Sequence, residues 1–224
     1  MMDGSTVPMI PDSAATTADF FDRVRARLTL DVPPQLNDDA YVPRHGDHDL
    51  DRMAAAVAAI RPIRRAAVLV PVVAREEPMV LLTQRAAHLK DHAGQISFPG
   101  GKIEPGETPA AAALREAEEE IGLAPHFVEP LGYLDLYMTT FGFRIVPAVA
   151  RVTPGFSLVL NKEEVDDAFE VPLAFLMTPE NHKRHSREWN GMTRHFYAMP
   201  FGERYIWGAT AGMLRNLWER IYGE

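Results

Sequence analysis

The spacing of apolar positions changes along the chain, and each change predicts an element. From Thr17 to Leu30, Phe20, Phe21, Val24 and Leu28 fall on one face of a 3.6-residue turn, which predicts a helix packed on something larger. Pro33 and Pro34 end it, a polar loop with Asn37, Asp38 and Asp39 follows, and Asp49 or Asp51 is placed to cap a second helix through Met53, Val57 and Ile60. The pattern then turns continuous. Ala66 to Val73 and Pro78 to Arg85 are apolar or β-branched runs joined by the charged turn Arg75-Glu76-Glu77, which predicts neighbouring strands. A segment punctuated by Gly and Pro runs from Asp91 to Glu107, then comes a helix, then strands over Phe127 to Tyr137 and Phe143 to Val152, then helical or mixed pieces to the end. The last of these, Thr210 to Tyr222, sets Ala211, Leu214, Leu217, Trp218 and Ile221 on one face. The whole predicts an α+β fold with a mixed sheet, residues 1–60 forming a helical extension whose first fifteen or so residues are disordered.

Composition narrows the chemistry. The absence of cysteine excludes disulfides, thiolate metal sites and cysteine nucleophiles, and it permits a reducing compartment, so cytoplasm is the expectation. The longest apolar stretch, Ala66 to Ala74, is nine residues with a proline inside it, against the roughly 20 that a membrane-spanning helix needs. No Lys or Arg precedes Arg23, while Asp3, Asp12 and Asp19 do, the wrong sign for a secretory leader. The net charge of -8 repels phosphate backbones, so nucleic acid is not expected as a partner and phosphate chemistry would need metal. Residues 1–60 hold ten Asp and five Arg with no Lys or Glu, which sets them apart from the rest.

The informative stretch runs from Gly101 to Leu123. Thr108 suits an N-cap, Pro109 the first helical position, Ala110 to Ala113 the interior, and Gly122 a left-handed residue past the end, so a helix is predicted over roughly 109–121. On it Glu116, Glu119 and Glu120 stand at i, i+3 and i+4, three carboxylates on one face. At an effective dielectric near 20 each such pair costs on the order of 2–3 kcal/mol unless a proton or cation lies between them. A hard divalent cation, Mg²⁺ or Mn²⁺, is the natural occupant, although glutamates on an alanine-rich helix taken alone are more often a solvated face.

Gly101, Glu107, Arg115, Glu116, Glu119, Glu120 and Gly122 together match G-x5-E-x7-R-E-U-x-E-E-x-G-U, and the chain thereby resembles the Nudix hydrolases. Ala117 stands where the family usually carries a bulkier aliphatic residue. The resemblance implies an α/β/α sandwich over residues 61–224, with Glu116, Glu119 and Glu120 as metal ligands. It also implies that Arg115 and Glu107 are the salt-bridged partners that orient them, and that water is the nucleophile. Glu119 and Arg115 are thus candidate catalytic residues. Glu164, in Asn161-Lys-Glu-Glu-Val165, is similar to the downstream loop glutamate that contacts metal or activates water in many relatives; the alternative is an exposed loop acid.

Upstream, Leu81-Leu-Thr-Gln-Arg85-Ala86, Lys90, Gly94 and Phe98-Pro-Gly100-Gly101 resemble the segment that marks the coenzyme A pyrophosphatases, L-L-T-x-R-[SA]-x3-R-x3-G-x3-F-P-G-G, with Lys90 in place of its second Arg. Tyr205 to Ala211 resembles the same subfamily's entry to its C-terminal helix. The candidate substrate-binding residues are Arg85, Lys90, Phe98, Gly100 and Gly101, with Phe98 fitting either a stacking surface or, better, the core. His88 and His92 have zinc-site spacing but lack a third ligand, and His182 and His185 lie in a basic run that reads as a solvated face or as a lining for an anion such as a 3′-phosphate. The expected activity is hydrolysis of coenzyme A or acyl-CoA to 4′-phosphopantetheine, or its acyl form, and adenosine 3′,5′-bisphosphate. The alternatives are another nucleoside diphosphate derivative (ADP-ribose, a dinucleotide, a dNTP) or a non-catalytic sensor. A homodimer contact through residues 1–60 stays open.

Overall fold

The computed structural model describes residues 17–50, 62–189 and 191–223. The expected second helix over 53–60 and the expected disorder of the first fifteen residues lie outside these. In chain order the elements are α1 (Thr17–Arg27), β1 (His45–Gly46), β2 (Arg64–Val73), β3 (Met79–Arg85), β4 (Ile96–Ser97), β5 (Gly100–Lys102) and α2 (Pro109–Ile121). They continue with β6 (Val128–Tyr133), β7 (Tyr137–Met138), β8 (Phe143–Val152), β9 (Val165–Pro172), α3 (Leu173–Leu176), β10 (Lys183–Trp189), β11 (Met192–Phe201), β12 (Arg204–Trp207) and α4 (Ala209–Tyr222).

The main sheet is mixed. β2 runs parallel to β8 over its whole length, Arg64 opposite Phe143 through Val73 opposite Val152. Its other edge is shared: Val72 and Val73 pair with β3, while Ala66 to Val68 pair with β5. Both faces of β2 are covered, which is why it reads as an unbroken apolar run instead of an alternating one. Val68, Val70 and Val72 enter the core beneath α1 and α4, and Ala67, Leu69 and Val73 enter the core beneath α2. The predicted faces of α1 and α4 are the buried ones: Phe20, Phe21, Val24 and Leu28 from the first and Ala211, Leu214, Leu217, Trp218 and Ile221 from the second.

The structure corrects the expectation of helical or mixed pieces after Val152. β9 lies antiparallel on β3, and β10, β11 and β12 form a separate antiparallel sheet. β10 carries charge at alternate and at adjacent positions, which masks the period of two on which strand recognition rests. Among the described residues, no helix is long and apolar enough to cross a membrane.

Several charged contacts tie residues 35–49 to the sheet, among them those of Arg144 and His45. Arg144 on β8 is fully buried, and its guanidinium donates to the carbonyls of Gln35, Leu36, Asp38 and Tyr41 at 2.6–3.1 Å. Burial lowers its pKa, so the four carbonyl dipoles substitute for the hydration it has lost. Replacing it by Met should strand those carbonyls and cost about 3–5 kcal/mol, read as a lower urea midpoint. His45 lies between Asp49 (3.5 Å) and Asp135 (3.6 Å). Burial would lower its pKa, but the hydrogen bonds to Asp135 and Asp49 outweigh burial and raise it to about 9. The folded protein therefore holds this proton more tightly than the unfolded chain. The resulting stability, on the order of 3 kcal/mol, is fully present below about pH 6.5 and lost as pH rises through about 9. Denaturant midpoints measured from pH 6 to 10 should fall over this window, and His45→Gln should remove the fall.

Candidate active site

The site is assembled where β2 changes partners. Helix α2 begins and ends as its sequence predicts: Thr108 Oγ1 accepts from Ala111 N at 3.2 Å, Pro109 occupies the first turn, and Gly122 adopts φ 69°. The last condition suits glycine, whose missing side chain removes the penalty of the left-handed region. The small residues Ala112, Ala113 and Ala117 let the helix lie close on the sheet, and Ala117, 1% exposed, is part of that seam.

Arg115 is the hub of the polar face. Its Nε and Nη2 donate to the two carboxylate oxygens of Glu107 at 2.8 and 3.1 Å, its Nη1 to Glu116 at 3.0 Å and Glu119 at 3.2 Å, and its Nη2 also to Lys102 O. The Arg115 guanidinium holds the Glu107 carboxyl below the usual carboxylate range, assisted by the Glu104 backbone N–H. A planar fork reaching several acceptors at once is the geometry for which Arg and not Lys is suited.

Glu116 and Glu120 point inward and Glu119 outward. Glu119 is more than half exposed. The Glu116 carboxylate rests against Gly101, where any Cβ would overlap it, and a Cβ at Gly100 would overlap Ala67 O across the β2–β5 pairing. Gly100 is a steric requirement of the strand pairing, whereas a side chain at Gly101 would be admitted by moving the Glu116 carboxylate aside. Glu120 is 5% exposed and accepts a long hydrogen bond from Gly100 N at 3.4 Å. Burial, then the negative charges of Glu116 and Glu164, push its pKa up to about 8 against the opposing pull of Gly100 N and Arg85. Burial also raises Glu116, partly offset by Arg115, with Glu119 and Glu164 adding to the rise.

Glu164 is therefore close enough to Glu116 and Glu120 to be felt by both. Its loop reaches α2 through Val159 N to Ile121 O and Asn161 N to Glu120 O, both 2.9 Å. Asn161 Nδ2 donates to Glu164 Oε1 at 3.0 Å, which orients the carboxylate. Arg85, at a register shift in the β3–β9 ladder, adds positive charge beside Glu120, and its Nε is buried without a hydrogen-bond partner among the described residues.

The other expected residues are placed as follows. Lys90 is exposed on the loop between β3 and β4. Phe98 is 3% exposed in the core, so of its two readings the stacking surface is corrected: the ring presents no face to a ligand. His88 and His92 lie on an exposed loop, with His92 Nδ1 paired to Gln95. His182 is buried with Nε2 bonded to Leu176 O, whereas His185 is paired to Tyr205, so the two do not share a ligand face. Arg204 was missed by sequence reasoning; it bridges Gln84 and Asp167 at 2.6 and 2.5 Å, a contact between distant segments that no local motif announces.

The donor chemistry fits a hard divalent cation, since every group is a carboxylate and the neighbouring carboxylates add to the cost of ionising Glu116 and Glu120. Arg115 occupies Glu116 and Glu119, however, and among the described residues no three acidic or histidine side chains converge as a finished metal cage. Side-chain rearrangement around Arg115 would have to accompany metal entry.

The model of the NUDIX domain matches residues 63–190, more than half of the chain. The chain belongs to the Nudix family. It is 38% identical over 155 residues to an uncharacterized Nudix hydrolase, NudL, of Escherichia coli O7:K1 strain IAI39, covering 69% of this chain and 81% of that one. It is 38% identical over 159 residues to NudL of Yersinia pestis strain Pestoides F, covering 70% and 80%. Among solved structures it is similar to a Nudix hydrolase of M. Smegmatis, RenU, at 22% identity and TM-score 0.44 over 51% of this chain and 73% of that one. Membership gives the Nudix fold, here a mixed sheet with helices on both faces, and a divalent-metal hydrolase of nucleoside diphosphate derivatives.

Gly101→Ala tests this packing of glycine against carboxylate. It should displace Glu116 and lower diphosphate hydrolysis by about 100-fold, a loss of roughly 2.7 kcal/mol in transition-state stabilisation, while the circular dichroism spectrum is retained. Activity within a few-fold of the parent would show that the contact does not matter.

Proposed function

We propose that this Nudix hydrolase cleaves the diphosphate of coenzyme A or acyl-CoA, giving 4′-phosphopantetheine or its acyl form and adenosine 3′,5′-bisphosphate. The observation that carries the reading is the run from Leu81 to Gly101, which resembles the coenzyme A pyrophosphatase segment and leads straight into the Nudix motif of Gly101 to Leu123. Arg85 of that run adds positive charge near Glu120, and its buried Nε has no hydrogen-bond partner among the described residues, which supports a phosphate-facing role.

In this reading Glu116, Glu119 and Glu120 hold Mg²⁺ or Mn²⁺. When bound, the cation supplies positive charge against the diphosphate oxygens. Arg115 holds the ligand helix face in register through Glu107. Arg85 and Lys90 draw the substrate's phosphates toward the cluster, and Gly100 and Gly101 leave space for it. Glu164, oriented by Asn161, takes the proton of the attacking water as its oxygen bonds to phosphorus and the bridging P–O bond breaks; the leaving phosphate carries off the electron pair.

Purified protein incubated with CoA, ADP-ribose, NADH and dATP should release 4′-phosphopantetheine from CoA by mass spectrometry, only with Mg²⁺ or Mn²⁺ and not with chelator. Glu119→Gln should abolish release, and Glu164→Gln should reduce turnover by about 100-fold or more. Cleavage of another diphosphate with CoA left intact would transfer the assignment to that substrate.

A further inference from the structure

The outward face of the β10–β12 sheet carries a group of rings that the catalytic cluster does not use. Residues directly opposite in an antiparallel ladder share a face. His185 stands opposite Phe196, Ala198 opposite Trp207 and Pro200 opposite Tyr205, while the intervening Met199–Ile206 pair turns into the core and is fully buried. His185, Phe196, Tyr205 and Trp207 are therefore on the side away from the core. Phe196 and Trp207 centroids are 5.1 Å apart, Tyr205 and Trp207 6.5 Å at 34°, and His185 and Tyr205 5.9 Å at 29°. His185 Nδ1 and the Tyr205 hydroxyl are joined at 2.6 Å, which fixes the relative setting of those two rings. Tyr205 remains 41% exposed.

The charge of this face is opposite to that of the chain. By the same register Lys183, Arg187 and Arg194 lie on this face, in a protein of net charge -8. Lys183 and Arg187 share the ring-bearing face, in register with His185, and both are exposed. Arg204, next to Tyr205, bonds to Gln84 and Asp167, the first adjacent to Arg85 and the second three residues beyond Glu164, and β12 lies against β4. The sheet is thereby fastened to the two segments that carry Arg85 and Glu164.

Exposed rings stack on a base whatever its hydrogen-bonding edge, and flanking cations pair with phosphate. We propose that this face is the subsite for the adenosine 3′-phosphate end of the substrate, Tyr205 and Trp207 stacking the adenine and Lys183 and Arg187 receiving the 3′-phosphate. This rests on the coenzyme A reading and goes beyond it, because it names the residues that distinguish a 3′-phosphorylated nucleotide from one without that group.

The test compares CoA with dephospho-CoA as substrates, and adenosine 3′,5′-bisphosphate with AMP as ligands in calorimetry, for the parent, Tyr205→Ala, Tyr205→Phe and the double variant Lys183→Gln/Arg187→Gln. The double variant should raise KM for CoA about tenfold with kcat unchanged, leave dephospho-CoA unaffected, and weaken adenosine 3′,5′-bisphosphate toward the affinity of AMP. Tyr205→Ala should weaken both nucleotides about fivefold or more, and Tyr205→Phe, which keeps the ring, should not. If the parent cleaves CoA and the exposed-site double variant keeps the parent's KM and its preference for the 3′-phosphate, the subsite is overturned and the coenzyme A reading stands. If the parent neither cleaves CoA nor prefers adenosine 3′,5′-bisphosphate to AMP, both fall. If the variants change the protein's mass in solution and not its nucleotide binding, the face is a contact between copies and the subsite is overturned.

Discussion

Strand β2 has more peptide groups on its open edge than one neighbour satisfies, and the arrangement of the site depends on how they are shared. β8 takes one edge over ten residues; on the other, β3 takes the end and β5 the beginning, with Leu69 N donating to Pro99 O between them. Buried backbone donors and acceptors must be paired, so the chain returning from β4 has to approach β2 closely. It does so as Pro99-Gly100-Gly101, and the absence of side chains there lets Glu116 and Glu120 descend from α2 onto the same spot.

That descent has an electrostatic consequence. Glu120 is withdrawn from water next to two other carboxylates, and its raised pKa expresses the cost. Gly100 N and Arg85 offset part of it, while Arg115 holds Glu107, Glu116 and Glu119 from the side. Arg144 offers a contrast within the same fold: a buried cation whose compensation comes from four backbone carbonyls and which carries no chemistry. Arg144 is a buried cation held by backbone acceptors, whereas Arg115 is only part-buried and is held mainly by carboxylates that a cation can compete for.

Much of this was legible in the residues, and for a local reason. The ends of α2 follow from Thr108, Pro109 and Gly122, and the faces of α1 and α4 follow from apolar spacing, because capping and helical periodicity act over four or five residues. β4 and β5, two and three residues long, are too short to show a period, and β10 hides its own under charge. Phe98 was ambiguous for a similar reason, since the core cluster it joins is drawn from elements far apart in sequence, α1, β2, β3 and α4 among them.

The i, i+3, i+4 carboxylate triplet, the arginine beside it and the family that spacing marks are readable from the residues alone, since the pitch of a helix converts spacing directly into proximity. Tertiary packing alone brings Glu164 near enough to Glu116 and Glu120 to add to their charge, puts Arg85 near Glu120, fastens β12 to β3 and β9 through Arg204, and sets four rings on the outer face of a second sheet. Those proximities join segments far apart in the chain. They depend on strand register and on loops closing over a packed core, which no local pattern encodes.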